Sequence, residues 1–578
     1  MKLPNTMPQI TIDGQAFDFE GQGYLLQFAL DNGVDIPYFC YHPAMSIPTN
    51  CRMCLVDVGF PMKDRATGEP VLDENGVQKI QWGRKPNTAC NTPLAPDMVV
   101  RTSKTSPVIE KAQKGVLEFM LINHPLDCPI CDQAGECPLQ INTYNYGPEG
   151  SRYELEKIHK PKRIQLGPNV TLDAERCINC TRCTRFTEEI SGTNQLTIMQ
   201  RGEKNYPVAA PGEVFDDPYS MNVIDLCPVG ALTSTDHRFK ARVWEMNYTP
   251  SVCTGCAQNC SIDVWVRDNQ VLRLTPRENR EVNDFWMCDA GRLDYLRYNE
   301  NRVSGIKIKG DVPIDFAEGM TWAAQLLDGA KGNILFVGSA HSSLETLYSL
   351  KIFAEALGQN GPLPYVQHEN ADFGDELLRK NDVTPNRGGA ELLGYEAVGL
   401  EELKTRAQGA TLVFVLQDNA VAEALLPVVG EKRLMVGAAN YFPGHENVDL
   451  LLPIATEIEG KSTFINQGGH AQLTLQAKQI RQMTPDMWME MPKSRLDAGG
   501  VAIDNWRHPE YIVDCLPGWL LLSRLAQGMG LEQAVYLKHS DLFNKLRDLY
   551  SDQLSGIQLR RLNRKESFKH SQLEFALR

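Results

Sequence analysis

Sixteen cysteines carry the most obvious chemistry in this 578-residue chain. Fifteen of them lie between Cys40 and Cys288, in tight C-x2-C groupings; only Cys515 falls outside. In a short secreted chain such a count suggests disulfides. In a long chain, clustered pairs read as thiolate ligands in a reducing compartment. Cys40, Cys51, Cys54 and Cys90 form a first set, spaced C-x10-C-x2-C-x35-C. Four thiolates suit a [2Fe–2S] cluster, with structural zinc as the alternative. His124, Cys128, Cys131 and Cys137 form a second set, in NHPLDCPICDQAGECPLQ. Three thiolates and one imidazole fit zinc, or a [4Fe–4S] cluster that a neutral ligand makes less negative and easier to reduce. His42, two residues after Cys40, is given a bland surface or supporting role.

The third set is Cys177, Cys180 and Cys183 with remote Cys227, in CINCTRC and CPVGA. C-x2-C-x2-C with a distant C-P is ferredoxin grammar. Thr187 stands where a two-cluster ferredoxin has its next cysteine, so one [4Fe–4S] cluster is expected here. Cys253, Cys256, Cys260 and Cys288 form the fourth set, with four thiolates for [4Fe–4S] and zinc again as the alternative. Zinc has no redox chemistry, and the ferredoxin grammar of the third set favours iron for its neighbours. Fifteen cysteines and one histidine fill four sites with none left over. Cys515 is expected to be an ordinary buried thiol.

The elements that must hold these ligands are partly legible. ITIDGQAFDF alternates around Asp13-Gly14, a hairpin signal. Residues 24–32 read as a helix ended by Gly33. Residues 61–84, rich in Gly, Lys and Asp, look like a surface excursion. Ser106-Pro107 is a cap followed by Pro at the first helical position. Val108, Ile109, Val116, Leu117, Met120 and Leu121 would form the apolar face of a helix leading to His124. Arg52 and Met53, between two ligands, are placed to aim backbone N–H groups at the first cluster. In the second half, residues 333–340, 411–420, 433–440 and 448–455 read as strands, with a helix over 343–357. That alternation implies an α/β layer with parallel pairing. No fixed-period repeat is present.

Composition bounds the function. The formal net charge of −14 argues against nucleic acid as the main partner. The N-terminal residues lack the apolar core of a secretion signal, and no apolar run reaches the roughly 18 residues of a membrane span. No G-x-G-x-x-G follows a strand, so NADH binding by this chain is not expected. No acid, base or nucleophile is nominated.

These motifs resemble those of the largest peripheral-arm subunit family of respiratory complex I, the proton-pumping NADH:quinone oxidoreductase. The resemblance rests on IPYFCYHP, NCRMCLVDV, NHPLDCPICDQAGECPLQ, RCINCTRCTRF and CPVGALTS, and spans about residues 8 to 300. The fourth set, followed by MCDAGR, resembles the segment that opens molybdopterin oxidoreductases. The resemblance implies an α+β and α/β multidomain chain. Its parts would be a β-grasp [2Fe–2S] ferredoxin domain (1–104), a helical His-Cys cluster domain (105–145) and a ferredoxin-like [4Fe–4S] domain (146–245). A molybdopterin-oxidoreductase-type [4Fe–4S] domain (246–302), a shortened molybdopterin-oxidoreductase-like α/β domain (303–550) and a charged tail (551–578) would follow. It implies one [2Fe–2S] and three [4Fe–4S] clusters and no molybdopterin. The implied partners are a flavin-binding subunit, a small [2Fe–2S] subunit and quinone-proximal subunits, on the cytoplasmic face of a bacterial membrane that the chain meets only through the complex.

Three departures stand out. Thr49 replaces a glycine usual before the second [2Fe–2S] cysteine, and the 61–84 excursion is longer than usual. Gly468 and His470 stand where the family has Glu and Arg in ATEIEGKSTFINQGGHAQ, so the second half reads as a degenerate scaffold. The rival readings are an electron-transfer or catalytic subunit of a soluble hydrogenase or formate dehydrogenase, and a zinc-stapled scaffold. An [FeFe] hydrogenase would carry further cysteine motifs in the second half. An active formate dehydrogenase would carry a Cys or selenocysteine soon after Cys288.

Overall fold

In the computed structural model, residues 7–430, 432–491 and 508–554 are described. The chain forms two compact units that divide between Phe239 and Lys240. The charged tail from 555 onward lies outside the described residues.

The first unit opens with the expected hairpin: strands Gln9–Ile12 and Gln15–Asp18 pair antiparallel. Asp13 and Gly14 both take positive φ, 50° and 86°, as a two-residue turn of matching twist requires. Strand Gln9–Ile12 runs parallel to Met98–Arg101, which pairs antiparallel with Leu55–Pro61. Ile10, Ile12, Val56, Val58 and Val100 point to one buried face, the period-2 pattern of a half-covered sheet. Helix Leu25–Asp31 buries Leu25, Leu26 and Ala29. It ends in a Schellman turn, where Gly33 N–H reaches Leu30 O and Val34 N–H reaches Ala29 O at 3.0 and 2.8 Å. A mixed sheet with one helix across it is the β-grasp arrangement expected from the sequence.

The 61–84 excursion is mostly exposed, as expected, but it is folded back on itself. Gly59–Pro61 pairs with strand Ile80–Trp82, and isolated bridges join Lys63 to Pro70 and Leu72 to Gln78. Helix Pro107–Leu121 begins with Ser106 accepting from Ile109 N–H at 3.4 Å. Its buried line is Ile109, Gln113 and Leu117. Val108, expected on the apolar face, is 61% exposed: at the second helical position it points away from that line.

The second unit holds an antiparallel meander, Asn247–Val252, Ser261–Arg267 and Gln270–Pro276. Its main sheet runs Val312–Ile314, Ile306–Ile308, Leu450–Pro453, Arg433–Ala438, Leu412–Leu416, Ile334–Val337. The last four strands pair in parallel, as the alternating pattern implied. Helices cover both faces. Leu344, Leu347, Leu350 and Phe353 pack with Phe336 and Phe414 on one side. Val421, Ala422, Leu425 and Val429 pack with Val337, Val413 and Val415 on the other. The strand read over 411–420 instead ends at Leu416, and a helix starts at Asn419, where the Asp418 side chain accepts from Val421 N–H at 3.1 Å and caps it. No described helix is long and apolar enough to cross a membrane.

Candidate metal centres

Local structure brings the first set together in two pairs. Cys54 directly precedes strand Leu55–Pro61, and Cys90 sits in the 3-10 turn Ala89–Asn91. Leu55 pairs with Thr88, and Ala89 N–H donates to Cys54 O at 2.8 Å. Cys54 and Cys90 are thereby in thiol hydrogen-bond contact, as are Cys40 and Cys51. Within the second pair, Cys40 lowers the Cys51 pKa to about 6, while Cys51 and burial push Cys40 upward. Met53 N–H also donates to the Cys51 sulfur, the role expected of it. Thr49 and Arg52 hold left-handed φ of 53° and 59°. This gives a physical reason for glycine at position 49: a β-branched residue is rarely found there.

The second set gathers around the end of helix Pro107–Leu121 and the start of helix Pro138–Tyr146, with Cys137 in the cap position. Burial, with Arg176 and Lys157 nearby, lowers the His124 pKa to about 4. The imidazole is therefore neutral at ordinary pH, the form that ligates metal. Burial pushes Cys137 up to about 12, opposed by the N–H groups of Gln140 and Leu139. Gly135, between Cys131 and Cys137, has φ 83° and lets the loop curl.

In the third set, Asn179 and Thr181 take left-handed φ of 54° and 61° between successive ligands. Asn179 N–H donates to Cys177 Sγ at 3.4 Å. Cys183 lies in helix Arg182–Glu189, and Cys227 follows helix Asn222–Leu226. Val229, Leu232 and Ala231 N–H groups face the Cys227 sulfur. Successive inward N–H groups of this kind favour anionic sulfur. Cys253, Cys256 and Cys260 of the fourth set lie in the turn between the first two meander strands, with Cys253 N–H donating to Cys260 O at 2.8 Å. Cys288 caps helix Asp289–Leu293 by accepting from Gly291 N–H at 3.4 Å. The hairpin at 466–470 buttresses this loop: Gln467 N–H donates to Ala257 O at 3.0 Å. Asn466 and Gln472 side-chain amides reach Gln258 O at 3.2 Å and Asn259 O at 2.7 Å.

Among the described residues, no three of these cysteines or His124 bring their donor atoms within 4.8 Å of one another. The first set gathers as two close thiol pairs. Of the remaining residues singled out, His42 is buried rather than exposed and accepts from Ala44 N–H at 3.3 Å. Cys515 is fully buried beside Ala455, Ile480 and Val513.

Three arginines were not found from the sequence, and Gly230, read there with Pro228 as fixing the turn around Cys227, has a second role. Arg185 donates to Cys40 O at 2.6 Å and Ser46 O at 2.5 Å. Arg182 donates to Tyr41 O, and to Leu226 O at 3.0 Å. Together they tie the first set to the helix that carries the third. Arg176 holds Asp127, beside Cys128, at 3.0 Å. Gly230, three residues after Cys227, lies so close to the second set that a Cβ there would meet Cys131 Sγ at 2.1 Å. The Cys137 thiol approaches Pro228 O at 3.7 Å.

Comparison with known proteins gives these segments counterparts. Residues 5–105 match a 2Fe-2S iron-sulfur cluster binding domain, and 113–152 an NADH-ubiquinone oxidoreductase-G iron-sulfur binding region. Residues 167–233 match the ferredoxin-like domain of NADH-quinone oxidoreductase subunit 3, and 246–299 a molybdopterin oxidoreductase Fe4S4 domain. A Thermus thermophilus protein, NADH-quinone oxidoreductase subunit 3, is 41% identical over 47% of this chain and 36% of its own length. The G subunits of the NADH-quinone oxidoreductases of Streptomyces coelicolor and Rickettsia conorii are each 34% identical, over 64% and 61% of this chain. This chain spans 42% and 50% of those two relatives.

Proposed function

We propose that this chain, a relative of the G and 3 subunits of NADH-quinone oxidoreductases, is the iron–sulfur electron-transfer subunit of such an enzyme, carrying electrons from a flavin-binding partner toward quinone. The assignment gives Cys40, Cys51, Cys54 and Cys90 to one [2Fe–2S] cluster. It gives the His124, Cys177 and Cys253 sets to three [4Fe–4S] clusters. The clusters supply one-electron chemistry; the chain supplies ligands, sulfur-directed N–H groups, burial and spacing.

The observation that carries the reading is the succession of contacts in the first unit. Arg182 and Arg185 join the Cys40 set to the Cys177 set, and residues 227–230 join the Cys177 set to the His124 set. The order Cys40 set, Cys177 set, His124 set follows. The buried, paired end would receive electrons and the His124 end would deliver them. Cys128 is exposed, and Leu126 and Ile130 beside it are 88% and 58% exposed, which suits a subunit interface. The expected partners are a flavin-binding subunit, a small [2Fe–2S] subunit and quinone-proximal subunits, at the cytoplasmic face of a bacterial membrane. No molybdopterin is assigned to the second half.

The test is iron and zinc content of anaerobically purified protein, with low-temperature EPR during reductive titration. About fourteen iron per chain, with separate [2Fe–2S] and [4Fe–4S] signals, is expected. About four zinc and no signal overturns the reading. Co-purification with membrane subunits and quinone-dependent NADH oxidation separates it from a soluble hydrogenase assembly.

A further inference from the structure

The second unit holds one more convergence of ligand-type side chains, away from the cysteine motifs. His341, His368 and Asp418 each offer a donor atom, and the three atoms lie within 4.8 Å of one another. His368 Nε2 is 2.9 Å from Asp418 Oδ2. The two imidazole rings are 5.6 Å apart, centre to centre. Among the described residues no other trio of His, Cys, Asp or Glu converges so closely.

The fold explains why they meet. His341 follows strand Ile334–Val337, and Asp418 follows its parallel neighbour Leu412–Leu416. His368 follows the short strand Pro364–Tyr365, whose Pro364 O accepts from Gly338 N–H at 3.0 Å. The helix after the first strand packs on one face of the sheet and the helix after the second on the other. The chain therefore splays apart outside the carboxyl ends of these neighbouring strands. Open parallel sheets bind ligands in such a crevice. Gln417 holds a left-handed φ of 56° between the second strand and Asp418, and its Oε1 has no hydrogen-bond partner.

The geometry points to a divalent metal site here, with Zn2+ held by His341, His368 and Asp418. Two imidazoles and one carboxylate are a common zinc donor set, and three protein ligands leave one position for water. The supporting residues are in place. The Ser339 hydroxyl lies 3.3 Å from His341 Nδ1 and 3.4 Å from Asp418 Oδ2, where it orients both ligands. Asp418 is fixed from its other oxygen by Val421 N–H. The His368 side chain is 24% exposed, which gives an ion a way in, while Asp418 is at 2%. The inference does not depend on the electron-transfer reading, since none of these residues belongs to the four cysteine sets.

The test uses the full chain with its clusters, washed with EDTA, given zinc sulfate and freed of excess. Metal analysis and zinc K-edge X-ray absorption are then read together. One zinc per chain is expected, with nitrogen and oxygen neighbours only. His341→Ala and His368→Ala should each lose it with iron content and cluster EPR unchanged. Ser339→Ala, which removes a supporting contact, should weaken retention about 10–100-fold. Asp418→Asn keeps the helix cap and should still lose the zinc. Sulfur neighbours around zinc would mean that it had entered the cysteine sets, and would overturn the site. So would zinc retained in both histidine variants. No retained zinc at all would leave a hydrogen-bonded His–Asp pair and also end the proposal.

Discussion

Gly230→Ala is the sharpest perturbation that the structure offers. Gly230 lies on the segment that follows Cys227, and its φ is not left-handed, so alanine suits the backbone. The obstacle is space alone. An added Cβ would stand 2.1 Å from Cys131 Sγ and 3.1 Å from the Gln133 Cβ. Ordinary carbon contacts lie at about 3.5–4.0 Å. The sulfur and the segment must then separate by about 1.5 Å, set against the roughly 0.2 Å that metal–ligand distances tolerate. Overpacking costs about 1–3 kcal/mol where neighbours can yield, and a ligand cannot yield without leaving its metal. The variant should fold, retain the other clusters and lose about four iron per chain, with disappearance of the His124-set EPR signal. A matched control is Gly255→Ala, whose Cβ would meet Cys253 Sγ at an ordinary 3.6 Å; it should keep all its iron. Full iron with unchanged spectra in Gly230→Ala would refute the contact between the third and second sets. Equal iron loss in both variants would show that any glycine near a ligand matters, and the steric argument would fail.

His124→Cys should lower the potential of one [4Fe–4S] signal, because a thiolate makes that cluster more negative; movement of two signals in an EPR titration would contradict the assignment. Arg302 and Glu459 form a buried bidentate pair at 2.6 and 2.7 Å, so Arg302→Met should cost about 3–5 kcal/mol in denaturant unfolding; a loss below about 1 kcal/mol would mean that Glu459 finds another partner. Lys478 is 2% exposed, and burial lowers its pKa from 10.5 to about 8. Between those values the unfolded chain binds the extra proton, so stability rises with pH across that window, by about 3 kcal/mol in all. Lys478→Met should abolish that part of the rise in unfolding measured from pH 7.5 to 10, and an unchanged slope would show that Lys478 is not the group responsible.

Much of the local structure around the proposed ligands was legible because its signals are local. Spacing such as C-x2-C-x2-C is written in adjacent residues, and so are the signals that shape the nearby backbone: Asp13-Gly14 for a hairpin, Gly33 for a helix end, Ser106-Pro107 for a helix start. The parallel strands of the second half were legible for the same reason, as continuous apolar runs. Helix ends were less so. Asp418 looked like part of a strand until its side chain was seen to cap the following helix.

What stayed hidden is what links distant parts of the chain. Arg185 meets Cys40 O across 145 positions and Arg182 meets Tyr41 O across 141; in sequence both are ordinary cations on a short helix. The residue types gave no warning either, since Gly230 reads as a turn after CPV and not as clearance for a sulfur atom on another loop. The hairpin at 466–470 shows the same limit from the other side. Gly468 and His470 looked like decay of a motif, and Gly469, between them, takes a φ of 80° in a tight turn. That turn places Asn466 and Gln472 against the carbonyls of Gln258 and Asn259. Judged by its side chains the segment has lost something; judged by its backbone it supports the loop that carries Cys256 and Cys260. The second half is thus more than a remnant, because its hairpin braces the loop that carries Cys256 and Cys260.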